Sequence, residues 1–167
     1  MVHKKLHEFK DRHYSSQSMT LVVQSQETLE TLQKLVVDAF SRVPNNGLPR
    51  ETFASLTDPF DTPDFHKIYK VVPLQNIYQL DLFWSLPPLL DKYKAKPMNY
   101  LSWIIGHEGK GSLILYLRKK VWALSLTAGN EGGGFEMNAT HTQFTISIVL
   151  TQSGFECVDQ VINVVFR

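Results

Sequence analysis

The sequence is poor in cysteine: Cys157 is the only one in 167 residues. No internal disulfide can form, and a lone thiol fits a reducing compartment or indifference to redox state. Excess charge of either sign is missing too, since 17 Lys and Arg stand against 16 Asp and Glu, a net charge of +1. No strong field exists to steer a nucleic acid or an anionic membrane surface. No apolar run approaches the ~20 residues of a spanning helix. The Lys- and His-rich start is not followed by an apolar signal segment. These absences lead to the expectation of a cytoplasmic chain with no nucleic-acid partner and no membrane span. Low-complexity segments and short-period repeats are also absent.

Two chemical motifs are begun and left unfinished. His107-Glu108 opens like a zinc-binding helix, but position 111, where a second histidine would reach the same ion, is glycine. The inverted arrangement fails as well, because Lys110 and Gly111 stand where Glu and His are needed. His3 and His7 have the right spacing, yet Leu6 replaces the water-activating glutamate; on a lysine-rich helix such a pair reads as a solvated face. Gly106 and Gly111-Ser112 have the glycine spacing of a phosphate loop, but the lysine that should follow the second glycine is missing. No metal ligands and no cofactor of this chain are therefore expected.

What is present is a helical chain with a β-rich second half. At this length the fold can bury roughly 70% of its unfolded surface. Residues 3–14 read as a helix with Leu6, Phe9 and His13 on one side. Residues 18–24 alternate through Met19, Leu21 and Val23 and predict a strand. Residues 25–28 offer capping side chains for a helix with the stripe Leu29, Leu32, Leu35, Val36, Ala39, Phe40 and Val43, which Pro44 stops. Residues 44–64 gather prolines, asparagines and a glycine and read as a linker, held to a surface by Phe53, Leu56, Phe60 and Phe65.

Beyond the linker, residues 67–74 and 77–86 predict strands, the second alternating through Tyr78, Leu80, Leu82, Trp84 and Leu86 until Pro87-Pro88. A lysine-rich loop over 91–97 precedes the stretch on which the rest is organised. An apolar helix over 98–105 halts at an elbow with Gly106, Gly109 and Gly111, and Ser112 caps a second helix ending in Arg118-Lys119-Lys120. Residues 121–127 form a strand turned back by Gly129-Asn130-Glu131-Gly132-Gly133-Gly134. Residues 135–151 read as another, with Ala139-Thr140 as the place where it would break. Ser153-Gly154 opens a last helix with Val158, Val161, Ile162, Val165 and Phe166 inward. Asn138-Ala139-Thr140 matches a glycosylation sequon, read as chance. Read as residues alone, the elbow is a packing device for two helices meeting at a sharp angle.

Six stretches carry a family resemblance: Tyr14-Ser15-Ser16, residues 19–25, residues 44–50, Leu56-Thr57-Asp58-Pro59-Phe60-Asp61-Thr62-Pro63, residues 106–112 and Leu117-Arg118-Lys119-Lys120. With them the chain resembles the insulinase family of zinc metallopeptidases, the pitrilysin-like inverzincins, over essentially its whole length. The resemblance is specific enough to point to a member acting at dibasic sites. It implies an α+β fold of insulinase type, a mixed or antiparallel sheet with helices packed on one face, in a segment spanning two domains. Residues 1–43 would end a first domain after its zinc site, 44–65 would be the inter-domain linker, and 66–167 would open a second, non-catalytic domain.

The resemblance also implies a role. The zinc of such a peptidase would lie outside this chain, since its His-x-x-Glu-His motif is not here, and the chain would serve as chamber wall and substrate anchor. Positions matching the family's peptide-anchoring surface are Trp103, Gly106 and Glu108 in the elbow and Leu126, Thr127, Ala128, Gly129 and Asn130 at the strand end. An edge strand accepts an extended peptide through backbone bonds, and a glutamate pairs with a terminal ammonium. Trp103 stands where relatives carry histidine, and Ala128 where they carry glycine. The expected partners are peptide substrates and the remainder of a parent peptidase. The alternative is a stand-alone truncated paralogue that binds peptides or proteins without catalysis.

Overall fold

The computed structural model describes residues 2–53, 55–56, 59–130 and 132–167. Thr57 and Asp58 of the fourth motif and Glu131 of the glycine-rich turn lie outside the described residues. The chain divides into two compact units, Met1–Thr52 and Phe53–Arg167.

The first unit holds helix α1 (Val2–His13) and helix α2 (Leu29–Phe40). Thr28 caps α2 by accepting from the Thr31 amide at 3.3 Å. The helix ends at Phe40, earlier than the stripe through Val43 suggested. A proline disfavours helical backbone in the residue before it, and Val43 closes a turn onto the Phe40 carbonyl instead (3.0 Å). The expected strand over 18–24 does not form. Ser16–Ser18 is one 3₁₀ turn, and the following residues run extended with no ladder. Alternation prepares a strand, but only a neighbouring strand satisfies its amides and carbonyls.

Two of the motif stretches meet in this unit. The Ser16 amide donates to the Pro44 carbonyl at 2.8 Å. The Asn46 amide donates to the buried Ser15 hydroxyl at 2.9 Å, and the Asn46 side chain donates to the Arg12 carbonyl at 2.9 Å. Residues 44–48 are thus laced to the end of α1 rather than free in solution.

The second unit is built on a three-stranded antiparallel sheet of order β1-β3-β2. Its strands are β1 (Gln79–Leu86), β2 (Ala123–Gly129) and β3 (Thr142–Leu150). Helices α3 (Pro97–Gly106) and α4 (Leu113–Lys119) connect β1 to β2; α5 (Gln152–Glu156) and α6 (Val158–Val165) follow β3. Burial alternates strictly along β3, with Thr142, Phe144, Ile146, Ile148 and Leu150 turned to the core. Met98, Ile114, Leu117 and Val161 meet them from α3, α4 and α6. Helices therefore cover one face of the sheet. Each fully buried Leu, Ile or Val contributes about 1.5–3 kcal/mol relative to exposure.

Three expectations for this half need correction. Residues 67–74 form no strand: Val72 is 92% exposed, and Pro73 cannot donate to a ladder. The strand expected from 135 begins at Thr142, because Asn138 folds the preceding residues into a turn. Its side-chain oxygen accepts from the Thr140 amide (2.9 Å), the Thr140 hydroxyl (2.8 Å) and the His141 amide (3.2 Å). The sequon residues are thus structural partners of one another. The last helix is two short helices broken at Cys157, and Phe166 is exposed rather than inward.

Among the described residues, no helix is long and apolar enough to cross a membrane.

Candidate functional site

The elbow is shaped by its end groups. Pro97 occupies the first turn of α3, where its missing amide is harmless. The helix ends at Gly106, and His107 leaves it with extended backbone while donating its amide to Trp103 O (3.1 Å). The His107 ring stacks on Trp103 with centroids 6.0 Å apart, and its Nδ1 accepts from the Gly109 amide at 3.1 Å. Gly111, at φ +87°, makes the left-handed step that Ser112 follows. Ser112 then caps α4 by accepting from the Leu115 amide at 3.2 Å.

Helix α4 closes with a Schellman arrangement: Val121 N donates to Arg118 O and Trp122 N to Leu117 O, both at 2.9 Å. Val121 takes the left-handed position, φ +60°, where glycine is usual and a β-branched residue is strained. The Trp122 carbonyl lies so near Gly154 that a Cβ there would approach it to 1.9 Å.

Elbow and strand are joined by one side chain. Arg118 Nη1 donates to Glu108 Oε2 at 2.7 Å and Nη2 to Oε1 at 3.2 Å, a bidentate pair. Its Nε donates to the Leu124 carbonyl at 3.0 Å. Hydrogen bonding to Arg118, aided by its charge, holds the Glu108 carboxyl below the usual carboxylate range. Leu124 sits at an irregularity of β2, between Ala123 opposite Leu150 and Ser125 opposite Val149.

The expected site residues divide into three groups. Trp103 is 71% exposed on the outer side of α3, against His107. Gly106 and Glu108 lie at the elbow, with Glu108 joined to β2 through Arg118. On β2, an edge strand, the Leu126 side chain is buried in the core while Thr127 is exposed and Ala128 half-buried. Leu126 thus offers only backbone to a ligand. Gly129, at φ +127°, ends the strand where a Cβ would come within 2.5 Å of Ser102 Oγ. Asn130 Nδ2 donates to the Gln143 carbonyl at 2.9 Å.

Arg118 is the residue that sequence reasoning missed. A basic side chain in a helix's last turn has a sufficient local explanation in the helix dipole. The partner ten positions upstream leaves no periodic trace.

A zinc site takes three or four protein ligands. Among the described residues, no group of three or more His, Cys, Asp or Glu side chains is placed to hold a metal. His3 and His7 face each other with Nε2 atoms 3.3 Å apart on exposed α1, which is two ligands. These residues do not fit the family's zinc.

Comparison with known proteins places these features in a family. The model of the peptidase M16 inactive domain matches residues 1–167. Nardilysin of Rattus norvegicus is 54% identical over 165 residues, 99% of this chain and 14% of that protein. Insulin-degrading enzyme of Homo sapiens is 35% identical over 168 residues, 99% of this chain and 16% of that protein. The crystal structure of pitrilysin superposes with a TM-score of 0.74 over 98% of this chain and 17% of that one, at 22% identity, a likeness of fold. The chain thus spans about a seventh of the length of the nardilysins it matches.

Proposed function

The chain belongs to the M16 peptidase family, matching its inactive domain, and from that premise we propose that it anchors peptides for a peptidase without cleaving them. In this reading it is part of the chamber wall of a longer, nardilysin-like, cytoplasmic protein. Hydrolysis at paired basic residues belongs to the remainder of that protein, which also holds the zinc. An extended peptide lies along the open edge of β2, with Trp103, Gly106 and Glu108 at one end and Ala128, Gly129 and Asn130 at the other.

The observation that carries this reading is the free edge itself. Among the described residues, strand β2 pairs only with β3, and a peptide adding to such an edge gains affinity from backbone bonds, largely independent of its sequence. The names of the relatives agree: one is a degrading enzyme for insulin, a peptide. The test is turnover of peptides containing paired basic residues, with and without a chelator, alongside binding of the same peptides. Binding without turnover supports the proposal; cleavage that a chelator abolishes overturns it.

A second reading, the stand-alone binding module, is favoured by the packed core of the second unit. Ile114, Leu117, Ile148 and Val161 are all fully buried within it. It would require the same peptide to bind equally well to this chain alone and to a full-length relative.

A further inference from the structure

The open edge of β2 is shorter than the strand. In an antiparallel sheet, successive residues of a central strand direct their amide and carbonyl to opposite neighbours. Leu150 N donates to Tyr78 O (2.8 Å), toward the β1 side, and Thr151 N donates to Trp122 O (3.0 Å), toward the β2 side. Carried along β3, the alternation turns Val149, Ser147 and Thr145 toward β2, opposite Ser125, Thr127 and Gly129. The backbone groups of Leu126 and Ala128 are then directed outward. So is the Leu124 carbonyl, and Arg118 Nε already occupies it at 3.0 Å. The opposite end is reached at Gly129, the last residue of the strand, whose φ of +127° departs from strand backbone.

We propose that Arg118 is a positioning residue that closes the upstream end of the β2 edge and so fixes the register of an anchored peptide. The inference rests on the peptide-anchoring reading above and deepens it. Arg118 uses all three faces of its guanidinium fork: two nitrogens grip Glu108 and the third caps Leu124. The ladder available to a peptide is confined to Leu126 and Ala128, which pair with an extended stretch of about three residues. The site therefore selects for a short extended segment with one alignment rather than for a particular side chain. Glu108 holds Arg118 in place, so its carboxylate works partly through the arginine.

The experiment uses the full chain, isotope-labelled for NMR, and a capped hexapeptide alternating threonine and valine, which carries no charge for Glu108 or Arg118 to attract. In the native chain the Leu126 and Ala128 amides should exchange at least tenfold more slowly with peptide bound. The Leu124 carbonyl carbon, already hydrogen-bonded, should not shift. In Arg118→Gln the peptide should additionally shift the Leu124 carbonyl carbon and be free to occupy a second alignment, splitting the peptide's own amide signals. Glu108→Gln, which keeps the arginine and loosens its grip, should give a smaller change of the same kind and guards against a folding defect in the first variant. An unchanged footprint in both variants overturns the role of Arg118 while leaving the anchor intact. Loss of the Leu126 and Ala128 protection in the native chain overturns the anchor itself.

Discussion

Helices α2 and α4 are written in the same chemistry and meet different fates. Each is capped by a hydroxyl residue, Thr28 or Ser112, accepting from an amide three residues on. Each has an apolar stripe at helical spacing. In α4 the stripe disappears into the core, with Ile114 and Leu117 fully buried; in α2 no residue is buried, and Leu29 is 84% exposed. The difference is made by the sheet, whose strand β2 packs against α4 and whose β3 turns five side chains into the same core, whereas among the described residues no strand of the sheet comes from the first unit. Caps and periodicity make a helix; a second surface makes a core.

The sharpest way to test this contrast is to cut the same kind of side chain in both units. Ile148→Ala should destabilise the second unit by about 2–5 kcal/mol, the range for a buried aliphatic truncated to alanine. Leu35→Ala, on exposed α2, should change stability by less than about 0.5 kcal/mol. Urea titration of both variants, read by residue-resolved amide exchange, compares them directly. Equal effects would erase the distinction between the units.

Next in size is Gly154→Ala. Its added methyl meets the Trp122 carbonyl, which is backbone and cannot swing aside, so a loss of about 1–3 kcal/mol or more is expected. A thermal melt with no shift would show that α5 does not sit against the start of β2. In the opposite direction, Val121→Gly should stabilise the second unit by about 1 kcal/mol. It relieves a left-handed β-branched residue, partly offset by glycine's greater freedom in the unfolded chain. A lower melting point would mean that the exposed valine side chain makes packing that outweighs its strain.

The smallest expected effect is electrostatic. Glu108 has its carboxyl pKa depressed by Arg118, so the pair's contribution is complete above the ordinary carboxylate range. It fades as pH falls through the lowered value. An NMR titration of the Glu108 carboxyl carbon should show a midpoint below that range in the native chain and a return upward in Arg118→Gln. An unmoved midpoint would disconnect the elbow from α4.

Legibility in the sequence followed the same division between local and partnered structure. The helices at the elbow, the Ser112 cap, the alternation of β1 and the core face of β3 are all local patterns, and they are where periodicity placed them. Residues 18–24 alternate as β1 does and residues 67–74 are rich in strand-forming side chains, but neither stretch gains a neighbour with which to form a ladder. The bidentate pair between Glu108 and Arg118 was illegible because a turn with two glycines and most of a helix separate its members. The glycines themselves were legible as an elbow. That Gly129 and Gly154 are held by close approach to Ser102 and Trp122 required the packed chain.

The most direct measurement is a time course of isotope-edited NMR spectra of the full chain with a peptide containing paired basic residues. It reads the strand edge and the integrity of the peptide in one sample. The account expects slowed exchange at Leu126 and Ala128, no response along the β1 edge, and an intact peptide at the last time point with or without chelator. Chelator-sensitive loss of the peptide, or a response at β1 with none at β2, would contradict it.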